Sequence, residues 1–402
     1  MKTSHTNAVK MVTEAAAVVG TERIALADSF GRVLAQEVHA ADNVPPFDRS
    51  PLDGYAFRAC DTTNASTENP VTLKVIEDIP AGAVSHFPVT EGTAVRLMTG
   101  APIPEGADAV SMYELTEFTD TEVKIFRPVK HGENVIYAGE DVKKGTPLAE
   151  PGMKIDAGLM GTLALQNIEF PEVYRQLKVG IISTGNELAN VGEKLAPGKV
   201  YDSNQFSISG ALTRLGFVPV RYGIVFDTVD AISTAIEKAL KECDAVITTG
   251  GVSVGDYDFT PDAMEKAGIE ILFRGVDLKP GMACAYGAKN GKLVCGLTGN
   301  PASSLTNFYV IGMPGLRKMS GLADYKNKEL PLVMANDFNK DIKRTRVLRG
   351  MLDLTDGTAK IIVPEGQGNV VLNSSIGSDC VAIVPAGSGP LTAGTIVKGF
   401  LV

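Results

Sequence analysis

The sequence contains no tryptophan, only four histidines and only five cysteines. The cysteines, Cys60, Cys243, Cys284, Cys295 and Cys380, are widely spaced and include no C-x-x-C pair. That pattern argues against a disulfide framework and favours a cytoplasmic location. His5, His39, His86 and His131 are equally scattered, so no His/Cys zinc constellation can be read. No apolar run approaches the ~20 residues of a membrane span, and the N-terminus lacks a basic segment followed by an apolar one. Positive charge is in deficit, with 38 Lys and Arg against 47 Asp and Glu. This argues against a nucleic-acid binder or a basic membrane-surface protein. A small anionic ligand stays open, because it responds to the local field rather than to the sum.

What is present is an ordinary globular composition, 44% hydrophobic and 21% charged over 402 residues, enough for about two to four domains. The 42 glycines and 22 prolines follow no repeat and read as tight turns between short strands. Residues 5–38 carry apolar positions at helical spacing up to the stop at Gly20, and a second short helix is expected from Leu26 through Gly31–Glu37. From 55 to about 137 short strands alternate with Gly/Pro turns, which predicts a small β domain. A helix is expected over 156–167. From 178 to 320 apolar strands alternate with helices, which predicts an open, mostly parallel α/β sheet. Strand character returns after about 325 as a small all-β tail. The expected partition is a discontinuous helical and linker domain (1–45 with 138–177), a small β domain (46–137), an α/β domain (178–324) and a barrel-like β domain (325–402). The fold class is thus multi-domain α/β plus β.

In an open α/β sheet, ligands bind beyond the carboxyl ends of the strands. Four junctions there carry glycine, small hydroxyls or carboxylates: STGNEL (183–188), FDTVD (226–230), TTGGVSVGDYDFT (248–260) and GLTGNPASS (296–304). Each has a bland reading. Gly250 and Gly251 alone would be a turn, Asp227 the cap of the following helix, and Glu187 a first-turn acid. GNPASS, with Asn300 among the candidate ligand residues, puts Ser303 and Ser304 in the first turn of a helix, as capping residues or as another phosphate seat. Together they form a constellation. Backbone N–H groups around Gly250, Gly251 and Ser253 suit a phosphate, yet Asp256 and Asp258 in the same loop would repel it unless a divalent cation stands between. The loop therefore implies Mg²⁺ with an anionic ligand, held by Asp258 together with Asp256. Outside this domain, Asp53 in PLDGY would usually mark a turn and Thr99 lies in a Gly/Pro loop; within it, Lys279 before a Pro-Gly turn would usually be solvated.

These stretches, with LADSFGRVLAQEV (26–38), PPFDRSPLDGYAFR (45–58), RLMTGAPIPEGADAV (96–110), GENVIYAGEDVKKG (132–145), GKVYDSNQFSISGAL (198–212) and LKPGMACAYG (278–287), resemble the MoeA family of molybdopterin molybdenumtransferases. Eukaryotic counterparts are the E domains of gephyrin and of the plant molybdenum insertase. The matches follow the family's order and cover nearly the whole chain. The resemblance implies a homodimer whose site lies between the α/β domain of one subunit and the β domain of the other. It implies adenylylated molybdopterin and molybdate as substrates, AMP as a product, Mg²⁺, and contact with the molybdopterin adenylyltransferase. Asp53, Thr99, Asp141, Glu187, Asp227, Asp258 and Lys279 fall on functional positions of the family. In that reading Asp53 and Glu187 orient molybdate or water, Thr99 donates a hydrogen bond and Lys279 meets an anion.

Some positions depart from the family pattern. Gly275 and Met282 stand where lysines are usual, Ile136 where an arginine is usual, Thr298 where a proline is usual, and Asn369 in place of a serine. With those cations gone, Lys279 and Arg274 are expected to carry the anion, and Met282→Lys is expected to tighten binding. The alternative to an active insertase is a diverged paralogue that binds a molybdopterin-like ligand or a protein with little turnover. A further alternative is another nucleotide-cleaving enzyme of the wider superfamily.

Overall fold

The computed structural model describes residues 2–253 and 258–402. Two compact units emerge: Glu37–Glu150 with Gly158–Glu169, and the remainder, comprising the chain up to Gln36, Pro151–Ala157 and Phe170–Val402.

The smaller unit is built on a six-stranded sheet of β1 (Gly54–Phe57), β2 (Val71–Ile79), β3 (Thr93–Leu97), β4 (Ala109–Met112), β5 (Thr116–Phe118) and β6 (Glu122–Ile125), in the order β4-β1-β3-β2-β6-β5. Alternate residues of β1 serve opposite faces, as a two-residue period requires. Tyr55 and Phe57 pack with Leu73, Val123 and Ile125, whereas Ala56 packs with Ile79, Val95 and Val110. Both faces are covered, so β1 is buried throughout. Gly54 opens this strand. A Cβ there would fall 2.1 Å from the Ser111 carbonyl oxygen, so close strand packing, not a turn, demands the glycine after Asp53.

In the larger unit, helix α1 (His5–Ala15) starts where the Ser4 hydroxyl accepts the Asn7 N–H, 3.3 Å away. It buries Ala8 and Val12 against Met313 and Leu316. The second helix expected over Leu26–Glu37 is absent. Only the single 3₁₀ turn Leu26–Asp28 forms, Gly31 takes φ +78°, and Val33 and Leu34 bridge to Lys154 and Val173. A left-handed residue ends any helix, and these pairings satisfy the backbone instead. The helix expected over 156–167 is α2 (Ala157–Leu165), which from Gly158 on belongs to the smaller unit.

The α/β sheet comprises β7 (Lys178–Thr184), β8 (Val218–Val225), β9 (Ala245–Thr249), β10 (Glu270–Arg274), β11 (Cys284–Lys289) and β12 (Lys292–Leu297), ordered β8-β7-β9-β12-β11-β10. Only β11 runs antiparallel to its neighbours. Its hairpin to β12 turns at Asn290–Gly291, both at positive φ, as a two-residue primed turn needs. Helix α3 (Asn204–Arg214) packs Ile208 and Leu212 with Val179 and Ile181 on one face. Helix α4 (Val229–Glu242) packs Ile232 and Ile236 with Ile182 and Val246 on the other. Helix α5 (Thr260–Lys266) follows β9. After β12 come α6 (Pro301–Asn307) and α7 (Met313–Met319), joined by a π-helical turn, Phe308–Gly312. Pro314 has no N–H to give to the preceding turn, which suits this widening.

The tail closes into a barrel of β13 (Leu330–Met334), β14 (Arg346–Asp353), β15 (Lys360–Ile362), β16 (Cys380–Val384) and β17 (Ile396–Leu401). Leu332, Leu348, Ile361 and Ala382 fill its interior. The architecture is therefore multi-domain α/β plus β. Among the described residues no helix is long and apolar enough to cross a membrane.

Candidate functional site

The second parallel strand, β8, lies on one side of β7 and the third, β9, on the other. The winding reverses between them, which opens a crevice at the carboxyl edge. All five parallel strands end on this edge. They deliver Glu187 after β7, Asp227 after β8, the Gly250–Gly251 turn after β9, Asn300 after β12 and Lys279 after β10.

Asp227 is not the cap of α4. Thr228 is, its hydroxyl accepting the Ala231 N–H at 3.2 Å. Asp227 instead accepts the Thr184 hydroxyl, while its N–H donates to Asn186 Oδ1 at 3.3 Å. The Glu187 carboxylate folds back over the preceding turn, since a Cβ on Gly185 would lie 2.7 Å from its Oε2. Gly250 has φ +112°, and a Cβ there would strike the Thr184 carbonyl oxygen at 2.1 Å, so β7 and β9 approach closely at their tips. The Gly250 N–H donates to Leu297 O at 2.9 Å and is thus committed to the backbone rather than to a phosphate. Thr260 ties the glycine turn down, giving its hydroxyl to Gly250 O at 2.9 Å and its N–H to Gly251 O at 3.0 Å. Ser253 is exposed and Asp258 half-buried at the entrance to α5, whereas Asp256 lies outside the described residues.

Asn300 stands before α6, but its side chain makes no cap bond. Ser303 is buried, and its N–H donates to Asn369 O at 3.1 Å. Next to it, Asn307 donates to Gly281 O at 2.6 Å, which fastens the exposed Lys279 loop to α6. The loop also joins the barrel: the Lys279 N–H donates to Thr345 O and the Val347 N–H to Lys279 O, each at 2.9 Å. Arg274 does not serve this loop as expected. Its guanidinium is held by Glu265 at 2.8 Å and lies 3.6 Å from Asp262.

In the smaller unit the structure brings Asp53 and Thr99 together. One carboxylate oxygen of Asp53 accepts the Thr99 N–H at 2.7 Å and its hydroxyl at 2.8 Å. These donors, the backbone one first, hold the Asp53 carboxyl below the usual aspartate range. Asp141 is exposed, and its N–H donates to Val44 O at 3.0 Å. Ile136 pairs with Arg49 across an isolated antiparallel bridge.

Sequence reasoning passed over Thr184, Thr260, Asn204 and Arg349. Asn204 opens α3 and donates to Gly299 O at 2.9 Å, while its own carbonyl oxygen is buried with no partner among the described residues. The acid-amide run DSN before a helix was the available signal. Arg349 is 1% exposed and donates to Ser374 Oγ at 2.8 Å; burial, with Arg346 adding to it, pushes its guanidinium down to about 10. Nothing in the strand pattern LRG marks it. A large cavity of about 840 Å³ lies elsewhere, at the amino-terminal ends of β7 and β8, lined by Leu177, Phe217 and Arg214 among others.

An open sheet with its ligand loops gathered at a reversal of winding is the frame of a molybdopterin-binding domain, and residues 180–318 match the family described as probable molybdopterin binding domain. Residues 3–166 match the MoeA N-terminal region (domain I and II), and residues 331–401 the MoeA C-terminal region (domain IV). A molybdopterin molybdenumtransferase of Bacillus subtilis is 38% identical over 387 residues, 95% of this chain and 90% of that one. One from Staphylococcus epidermidis is 35% identical over 397 residues, 98% and 94% of the two chains. The crystal structure of a molybdopterin biosynthesis MoeA protein from Pyrococcus horikoshii superposes with a TM-score of 0.85 at 31% identity, covering 100% of both chains. The chain belongs to the MoeA family.

Proposed function

We propose that the protein inserts molybdenum into molybdopterin, taking adenylylated molybdopterin and molybdate and releasing AMP. The observation that carries this reading is the gathering of Glu187, Asp227, the glycine turn, Asn300 and Lys279 at one sheet edge. The shared name of the bacterial relatives, molybdopterin molybdenumtransferase, points the same way.

In this reading Lys279 and the first turn of α6 receive the anionic part of the substrate. Asp227, fixed by the Thr184 hydroxyl and Asn186, and the folded-back Glu187 present carboxylate oxygens where water or molybdate must be oriented. Asp53, kept ionised by Thr99, supplies a further fixed acceptor. Mg²⁺ needs only one or two carboxylates when phosphate oxygens complete its shell. Asp258 offers such a ligand, with Asp256 as the second, so the donor chemistry fits. Bound there, Mg²⁺ would neutralise phosphate charge during cleavage of the pyrophosphate link. We also propose a homodimer with each site shared between subunits, a four-part division at 45/46, 137/138, 177/178 and 324/325, and receipt of substrate from the adenylyltransferase that makes it.

The test is AMP release from adenylylated molybdopterin, with and without molybdate. Release that depends on molybdate and Mg²⁺, with molybdenum retained on the pterin, is expected. A protein that binds the substrate but liberates no AMP under either condition would refute the transferase reading.

A further inference from the structure

The cavity of about 840 Å³ at the amino-terminal ends of β7 and β8 lies within the larger unit, at the sheet edge opposite the ligand loops. Its size falls within the roughly 300–1,000 Å³ of small-molecule sites. Apolar side chains reach it from several elements. Leu177 and Phe217 stand just before β7 and β8, Leu322 follows α7 and Leu401 ends β17, while Tyr174 adds a half-buried ring.

Charge on these walls is one-sided. Among the described residues they carry one acidic side chain, Asp324, and Lys328 already holds it. Of the basic side chains, Arg32 is held by Glu22, and Arg175 donates to Asp244 at 2.8 Å. Lys154, Arg214, Arg317 and Lys326 also line the cavity, and among the described residues none of them takes part in an ion pair. Arg214 and Arg317 stand in the last turns of α3 and α7, where a cation commonly answers the helix dipole. A solvated side chain would serve that purpose, yet Arg317 is half-buried. Burial, partly countered by Asp324, holds its guanidinium below the usual arginine range. Its partner is an amide: Arg317 donates to Asn327 Oδ1 at 3.3 Å, and Asn327 in turn donates to Tyr309 O at 3.1 Å, which fixes the amide's orientation. A partly desolvated charge held by a neutral acceptor gains from an anion placed beside it.

We propose that this cavity is a second ligand site, taking a small organic anion whose apolar ring packs against Leu177, Phe217 and Tyr174 and whose oxyanion head meets Arg317 and Arg214. The head is a phosphate or a carboxylate, because a guanidinium pairs with either through two parallel hydrogen bonds. In a chain of net charge −9, cations gathered in one concavity draw such an anion there rather than to the surface at large. The site lies away from the ligand loops and does not rest on the transfer of molybdenum proposed above.

Fluorescence titration of the full chain with naphthyl phosphate and, separately, with naphthoate tests this, since the chain has no tryptophan to obscure the naphthyl emission. Saturable binding of at least one is expected, and the tighter of the two identifies the head group. Inorganic phosphate and acetate, which lack the ring, should compete about tenfold less well or worse. Arg317→Ala should weaken binding about tenfold, and Arg317→Lys by less. Arg214→Ala alters an exposed side chain and should weaken binding about threefold with the circular dichroism melt nearly unchanged, so the outcome can be read even if Arg317→Ala unfolds. Lys279→Ala should leave probe binding as it is. No saturable binding, equal competition by the bare ions, or unchanged affinity in Arg214→Ala and Arg317→Lys would overturn the site. Loss of binding in Lys279→Ala would do the same by putting the probe at the ligand loops. So would a shift to smaller species in sedimentation of Arg214→Glu, which would assign this face to contact between copies of the chain.

Discussion

Asp53 and Thr99 show how one hydrogen-bonding partner sets the charge of a residue. Two donors on one carboxylate oxygen favour the ionised form, so Asp53 remains charged at lower pH than an ordinary aspartate. The sign follows by linkage. A depressed folded value adds stability that is present above the ordinary aspartate range and lost as pH falls through the folded value. Thr99→Val removes the hydroxyl but keeps the N–H, the larger cause. The Asp53 titration followed by carbon NMR should therefore rise only part of the way, and the acid limb of turnover should rise with it. A titration that does not move would show that the hydroxyl is not a donor. Asp258→Asn should abolish most Mg²⁺-dependent AMP release without changing the melting temperature, and full activity at saturating Mg²⁺ would remove Asp258 from the metal.

At the scale of elements, the loop after β8 separates capping from chemistry in adjacent residues. Thr228 caps α4, so Thr228→Ala should cost about 1 kcal/mol in denaturant unfolding. Asp227→Asn should leave that cap intact and lower turnover instead. If Asp227→Asn costs as much stability as Thr228→Ala and spares turnover, Asp227 is structural. The strand tips behave as one unit for the same reason of close approach. Gly250→Ala must fit a Cβ against the Thr184 carbonyl at positive φ, which should cost roughly 1–3 kcal/mol or more and disturb Thr184 and Asp227 together.

At the scale of the whole molecule, the proposed sharing of a site between subunits has a direct consequence. Inactive Asp53→Ala and Asp258→Ala proteins, mixed with subunit exchange allowed, should recover AMP release in part of the heterodimers. Confirmed exchange with no recovery would place both residues in one subunit's site. Sedimentation of the unaltered protein provides the control, since a monomer cannot share a site.

Periodicity and composition determined the larger part of the architecture. Continuous apolar runs such as LKVGIIS and AVITT, short and bounded by turn residues, read as strands buried on both faces. The winding rule for such sheets then placed Glu187, Asp227, Gly250 and Asn300 at the carboxyl edge before any coordinates, whereas Lys279 was singled out only by the resemblance. Tertiary structure decided what local pattern cannot carry. The expected helix after Leu26 gave way because distant residues, Lys154 and Val173, took its backbone partners. Gly54 looked like a turn because the Ser111 carbonyl that forbids a side chain there lies on another strand. Asp227 looked like a cap because its partner, Thr184, is 43 residues away.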